Sequence, residues 1–362
     1  MPRPHTIIRV VVAAATVALG LALATPADAA GGWFGEHTGS SVSVNGTYTP
    51  LVGDFAGDGH DDIVWYAPGP ATDFLWTSNG DGTFAKAPLA RQVSGTYIPV
   101  VGDFGKDNRS DIFWYKPGSD ADHLWMFQNG AIFEVTHYIA GIYQPIVLRD
   151  SAYGSGDDDI FWYAPGAASD SIWTFDASGA KTGRYVNVPG SPKPLMGDFD
   201  GNGIADVFWY NAGTTPDQLW RGTDGAGSFI QAGFTVNGTF QPAVQDFTSG
   251  SDGRSDILWF RPGAAADVLW EGTGAGGFAP SNHVVSGTGT GIALDWSWGY
   301  LWTYDPAAPD RTWYDDGAVE YDDLAGNTEL GAGYTTLVGN FASTVEGIFW
   351  YKAGPAPEIL MN

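Results

Sequence analysis

Residues 48–78 read YTPLVGDFAGDGHDDIVWYAPGPATDFLWTS. Tyr48–Phe55 and Asp62–Ala67 are short runs rich in β-branched and aromatic residues, separated by the acidic loop Ala56–Asp61. Pro68-Gly69 opens a turn, because proline presets φ and glycine relieves the steric limit that follows. Asp73–Ser78 is a third run, and Asn79-Gly80-Asp81-Gly82 after it carries the residues of a tight hairpin. Thr83–Val93 holds a fourth, looser strand. The stretch therefore encodes one four-stranded antiparallel unit, with a tryptophan at Trp65 and another at Trp76.

That pair of tryptophans repeats. Trp65/Trp76 is followed by Trp114/Trp125, Trp162/Trp173, Trp209/Trp220, Trp259/Trp270, Trp302/Trp313 and Trp350/Met361. Self-similarity at a period of about 48 residues means small units, none able to bury its apolar faces alone, stacked into an array. Seven such units predict an all-β, seven-bladed β-propeller with four antiparallel strands per blade. Second strands such as Ile112–Tyr115 and Ile257–Phe260 are apolar on both faces, which suits a sheet sandwiched between neighbours. The chain stops at Glu358–Asn362, only the third strand of unit seven, whereas Trp33-Phe34 to Asn45-Gly46 resembles a fourth strand without its first three. The N-terminal segment is thus expected to complete the last blade and close the ring, leaving fewer exposed sheet edges.

Residues 1–29 read as a secretory signal: Arg3 and Arg9, then apolar Val10–Ala24, then the small-x-small site Ala27-Asp28-Ala29. A membrane anchor is the competing reading, but the apolar stretch falls short of the roughly 20 residues that span a bilayer. The expectation is a secreted, extracellular protein whose propeller occupies 30–362. With no cysteine, it gains nothing from disulfides. Forty-one Asp plus Glu against 16 Lys plus Arg give a formal charge of -25, a surface that repels phosphate backbones and argues against nucleic acid as a partner. No membrane insertion is expected of the mature chain, and a monomer is.

The chain resembles the FG-GAP/VCBS repeat family, seven-bladed propellers like the head of integrin α subunits. The residues that carry the likeness are Gly-Asp-Phe, an acidic loop and Asp-Ile/Val, as in Gly53-Asp54-Phe55…Asp62-Ile63 and Gly197-Asp198-Phe199…Asp206-Val207. Phe84-Ala-Lys-Ala-Pro88 and Gly277-Phe278-Ala-Pro280 fit the same pattern. The resemblance covers the mature chain and implies calcium bound in the strand–loop–strand setting; it says little about biological role.

The acidic loops are the candidate metal sites. Asp198, Asp200, Asn202 and Asp206 stand at positions 1, 3, 5 and 9 of their loop, Gly203 at 6 allows a sharp bend, and the carbonyl of Ile204 offers another oxygen. Such a set suits a hard cation of high coordination number; a structural Asx-turn network is the alternative. Asp54, Asp58 and Asp62 keep positions 1, 5 and 9 but have Ala56 at 3. Asp103, Asp107 and Asp111 do likewise, with Lys106 and Arg109 adding positive charge, and Asp246, Asp252 and Asp256 come from a longer loop. Asp150 with Asp157–Asp159 is irregular, and units six and seven lack the ligands. One to four structural Ca2+ sites are expected.

On the opposite face an acid recurs three residues before the second tryptophan: Asp73, Asp122, Asp170, Asp217, Asp267, Asp310 and Glu358. With Tyr48, Tyr97, Tyr143 and Tyr334 at the same end, these acids either line repeated sugar-binding clefts or accept backbone N–H groups in the turns. Trp296 and Trp298 replace the acidic loop of the divergent sixth unit and offer an aromatic patch. His37, His60, His123, His137 and His283 show no metal spacing, and no nucleophile motif is present. The expected function is non-catalytic binding or adhesion, directed to carbohydrate or a cell-surface partner. An accessory scaffold, or a polysaccharide-active hydrolase or lyase, is the alternative.

Overall fold

A computed structural model describes residues 40–150, 157–166, 169–225, 227–247, 252–261, 267–283, 290–293, 301–304, 311–313, 333–341, 347–354 and 358–361. Among these residues every regular element is a strand. Sheet 1 is built from Thr49–Gly53, Asp62–Tyr66, Phe74–Ser78 and Phe84–Pro88, hydrogen-bonded in chain order and antiparallel throughout. The same plan gives sheet 2 (Ile98–Gly102, Asp111–Tyr115, Asp122–Gln128, Ala131–His137) and sheet 3 (Gln144–Asp150, Asp157–Tyr163, Asp170–Phe175, Lys181–Val186). Sheet 4 (Lys193–Gly197, Asp206–Tyr210, Asp217–Gly222, Phe229–Phe234) and sheet 5 (Gln241–Gln245, Asp256–Phe260, Asp267–Gly272, Phe278–His283) follow it too. Thr290–Ala293, Leu301–Tyr304 and Arg311–Trp313 form a three-stranded sheet. The last sheet joins Thr335–Gly339, Gly347–Tyr351 and Glu358–Met361 to the N-terminal strand Ser40–Val42.

Strand limits are shorter than the sequence suggests. The fourth strand of sheet 1 ends at Pro88 rather than Val93: Leu89 N still donates to the backbone oxygen of Asp73, but Val93 N turns to the Asp73 carboxylate. Of the expected N-terminal strand, Ser40–Val42 is described and pairs with Leu360–Glu358; residues 1–39, with Trp33 and Phe34, lie outside the described residues.

The second strands of sheets 1, 2, 4 and 5 and of the last sheet bury every residue, as their two-sided apolar pattern requires. Their tryptophans form the core: Trp65, Trp114, Trp162, Trp209 and Trp259 are essentially inaccessible. Each meets the second tryptophan of its own unit edge to face, at centroid distances of 5.1 Å (Trp65–Trp76) to 5.6 Å (Trp209–Trp220), an arrangement favoured by the ring quadrupoles. Packing is between sheets. One apolar cluster spans sheets 1 and 2, others span sheets 2 and 3, 3 and 4, and 4 and 5. A further cluster holds Ile63 and Trp65 of sheet 1 against Phe349 and Tyr351 of the last sheet.

In sheets 1, 2 and 4 and in the last sheet, the tyrosine directly after the second-strand tryptophan ties one sheet to the next. The Tyr66 hydroxyl donates to Gly95 O and accepts from Tyr97 N, both 2.9 Å. Tyr115 does the same with Gly141 and Tyr143, and Tyr210 with Gly238 and Phe240. Tyr351 repeats the contact across the chain ends, donating to Gly46 O at 3.2 Å and accepting from Tyr48 N at 2.8 Å.

Candidate functional site

The loop between the first two strands of sheet 4 is a compact carboxylate site. Gly197 pairs with Asp206 at the strand ends, so positions 1 and 9 of the loop are brought side by side. Asp198 Oδ1 accepts the N–H groups of Gly201 (2.8 Å) and Asn202 (3.1 Å), and its Oδ2 accepts Gly203 N at 2.7 Å. Gly201 and Gly203 have φ of 74° and 78°, a backbone that side chains resist. Asp206 is fully buried, taking Phe199 N at 2.9 Å on one oxygen and Gly222 N at 2.8 Å on the other. Asp200 faces Arg221 at 3.2 Å. Asp198, Asp200 and Asp206 each place a carboxylate oxygen within 4.8 Å of the others. Burial raises Asp198 above its ordinary value and pushes Asp206 up to about 7. Desolvation is the leading cause in both, and the neighbouring Asp200 charge adds a smaller push in the same direction.

The donor set fits a hard divalent cation: three carboxylates whose oxygens retain lone pairs beyond the N–H bonds they accept. Asn202 and Ile204 are less direct than expected. Asn202 Oδ1 accepts Ile204 N at 2.7 Å and its Nδ2 donates to Gly222 O at 2.9 Å, so the amide is spent inside the loop.

The other expected loops do not gather three acids in this way; among the described residues, only the sheet 4 triad does so. In sheet 1, Asp54 accepts Asp58 N (3.0 Å) and Gly59 N (2.8 Å), Asp58 accepts His60 N, and Asp62 accepts Ala56 N and Ser78 N. Asp103, Asp107 and Asp111 of sheet 2 repeat the pattern, with Asp103 bound by Asp107 N and Asn108 N. In sheet 5, Asp246 accepts Gly253 N, Asp252 pairs with Arg254, and Asp256 accepts Phe247 N and Gly272 N. The physical reason is position 3: Asp200 stands there in sheet 4, but Ala56 and Gly105 in sheets 1 and 2. Arg109 also reaches from sheet 2 to donate to Ala56 O, setting a guanidinium beside the sheet 1 loop. Burial still drives Asp62 and Asp103 up to about 7 and Asp111 to about 8.

Sequence reading missed how these loops interlock. Ser110 N donates to Asp54 O at 2.8 Å, Ser255 N to Asp198 O at 2.7 Å, and Asp61 N to Asn340 O at 2.8 Å. The residue before each second-strand acid thus docks on the preceding loop. This explains the glycine of Gly-Asp-Phe: a Cβ on Gly53 or Gly197 would lie 2.6 Å from the Cβ of Ser110 or Ser255.

On the opposite face, the repeated acids among the described residues brace turns. Asp73, Asp122, Asp170 and Asp217 are fully buried, and each accepts two backbone N–H groups. For Asp73 these come from Ala67 and Val93, both 2.8 Å; for Asp122 from Lys116 and Ile139, for Asp170 from Ala164 and Val188, and for Asp217 from Asn211 and Val236. Asp267 is equally buried and accepts Arg261 N at 2.7 Å. Glu358 accepts Val44 N at 2.8 Å, holding the N-terminal segment to the last sheet. A ligand cannot reach carboxylates so enclosed. Asp310, Trp296 and Trp298 lie outside the described residues. His137 is packed among Phe113, Trp173 and Phe175, while His123 Nδ1 and Glu134 Oε1 lie 3.0 Å apart.

Residues 54–114 match the FG-GAP-like repeat. No curated protein matches the chain in sequence. Among solved structures, it is similar to a lectin of Agrocybe aegerita described as recognising non-reducing terminal N-acetylglucosamine, with 16% identity, 86% of each chain covered and a TM-score of 0.60. BBS1N, solved in complex with ARL6DN, superposes over 90% of this chain and 95% of its own at 9% identity and a TM-score of 0.52. The exotype rhamnogalacturonan lyase YesX covers 90% and 72% at 12% identity, but its TM-score of 0.47 is too low to argue from. Among the described residues no helix is long and apolar enough to cross a membrane. Repeated four-stranded antiparallel sheets, propeller-like neighbours and the matched segment together make this an all-β, propeller-like chain that carries an FG-GAP-like repeat at 54–114.

Proposed function

We propose that the chain is a secreted, calcium-stabilised, seven-bladed propeller of residues 30–362 that binds carbohydrate without transforming it. The observation that carries the binding role is the likeness, over most of both chains, to a lectin described as recognising terminal N-acetylglucosamine. Seven blades are supported by the seven-fold tryptophan grid and by the pairing of Ser40–Val42 with Glu358–Met361, which brings the two ends of the chain into one sheet. Calcium is supported by the converging Asp198, Asp200 and Asp206. Asp198, Asp200 and Asp206 would hold the cation, which when bound would supply the positive charge that the three carboxylates lack.

The test is a glycan array probed with the mature protein, alongside thermal melts with and without calcium. Binding to terminal N-acetylglucosamine or a related neutral sugar, with no product formed, is the expected result. A blank array points instead to an accessory scaffold, and cleavage of a bound polysaccharide to an enzyme.

A further inference from the structure

We propose that Arg221 is the resident counterion of the sheet 4 carboxylates and that calcium binds there by displacing it, so that this side chain sets the calcium level at which the site fills. The inference rests on the calcium reading above and concerns what the chain itself places beside the loop when no metal is bound.

Sheet 4 departs from the repeat at two positions. Position 3 of the loop after its first strand is Asp200, where sheets 1 and 2 have Ala56 and Gly105. The residue directly after its third-strand tryptophan is Arg221, where sheets 1, 2, 3 and 5 have Thr77, Met126, Thr174 and Glu271. The two departures meet in space: Arg221 Nη1 lies 3.2 Å from Asp200 Oδ2. The sheet that adds a third acid to its loop thus also turns a cation toward it. Arg221 shares a face of its strand with Leu219, which packs between sheets 4 and 5. Gly276, in the hairpin between the last two strands of sheet 5, has φ of 75°. A Cβ there would fall on the Arg221 guanidinium, so this glycine keeps open the slot in which the guanidinium lies.

The arginine answers the charge of the loop but not its coordination. A guanidinium spreads a single positive charge over a plane, whereas calcium gathers many oxygens around one centre at short range. The fit is also incomplete: Arg221 Nε is buried without a hydrogen-bond acceptor, a cost that the group sheds in water. Its side chain is 23% exposed, so a way out to solvent is at hand. An arginine kept in place would hold a like charge beside the cation, which a poorly screened interior penalises. Calcium and Arg221 therefore compete for Asp200. In the metal-free chain the ion pair offsets the repulsion among Asp198, Asp200 and Asp206, which stand close together. In the loaded chain the cation takes over that task and the guanidinium is released.

The experiment is calorimetric calcium titration of the full mature chain, paired with melting curves in chelator. Arg221→Gln and Arg221→Met remove the charge, the latter with the residue type that sheet 2 carries at this position. Each should bind calcium about tenfold or more tightly than wild type and melt at a lower temperature in chelator. Arg221→Lys keeps the charge and should bind close to wild type. Asp200→Asn should weaken binding in every one of these chains. Tighter binding together with a lower metal-free melt separates displacement from bracing, because a side chain that only braced the loop would lower both. Calcium binding that both charge-free variants leave unchanged or weaken overturns the displacement and leaves the calcium reading standing. Binding seen in the charge-free variants alone supports it. No binding by any of the chains overturns both.

Discussion

At the scale of single residues, buried carboxylates do two jobs that look alike in sequence. Asp217 holds two backbone N–H groups at 2.7 and 2.6 Å, so Asp217→Ala strands two buried donors. A loss of about 3 kcal/mol is expected in denaturant unfolding, at the rate of 1–3 kcal/mol for each unsatisfied buried group. Asp206 and its counterparts Asp62, Asp103 and Asp111 titrate in the folded chain at about 7 to 8, against an ordinary value of 3.8. The folded state therefore binds more protons than the unfolded one between these limits. Its stabilisation is fully present below about pH 4 and is lost as pH rises through about 7 to 8. Melting curves in chelator should thus fall from pH 5 to pH 8, and calcium should flatten that slope by displacing the protons from the sheet 4 loop. A cation-free melting temperature that rises over this range would contradict the assignment.

At the scale of elements, the tyrosine ties make the links as specific as the strands. Tyr66→Phe removes a hydroxyl that both donates to Gly95 and accepts from Tyr97. The expected cost is about 1–2 kcal/mol, read from the denaturation midpoint, with the strands themselves unchanged by circular dichroism. Much of this level was legible in the sequence. The second strands announce themselves as DIVWY, DIFWY and DVFWY because a strand covered on both faces needs no polar alternation. The gathering of Asp198, Asp200 and Asp206 was legible too, since the three carboxylates converge as their spacing suggests. What spacing could not convey is which hydrogen bonds a carboxylate makes once folded. Asp54 and Asp103 carry the same position number as Asp198, yet their loops lack a third acid at position 3 and gather no triad. Nor could a repeat show that Asp61, Ser110 and Ser255 dock on a neighbouring loop, because that contact joins residues more than a full period apart or near opposite ends of the chain.

At the scale of the whole molecule, stability depends on sheets that bury one another's faces. Ser40–Val42 covers the outer edge of the last sheet through three residue pairs, reinforced by Glu358 to Val44 and by Tyr351 to Gly46. Removing residues 1–45 should expose that edge to pairing with other chains. The expected outcome is a lower melting temperature and soluble oligomers in light scattering, whereas the intact mature protein stays monomeric. A truncated chain that remains monomeric with an unchanged melt would mean that this edge strand contributes little.

The contact between Tyr351 and Gly46 has a wider implication. It reproduces, atom for atom, the joint that Tyr66 makes with Gly95 inside the continuous chain. A seam built from the same parts as the Tyr66, Tyr115 and Tyr210 joints gives the polypeptide no privileged place to be cut. A short turn spliced between Met361 and Ser40 would restore an ordinary hairpin, since Leu360 already sits opposite Ser40. New termini could then be opened in another link, and the rearranged chain should fold to the same body.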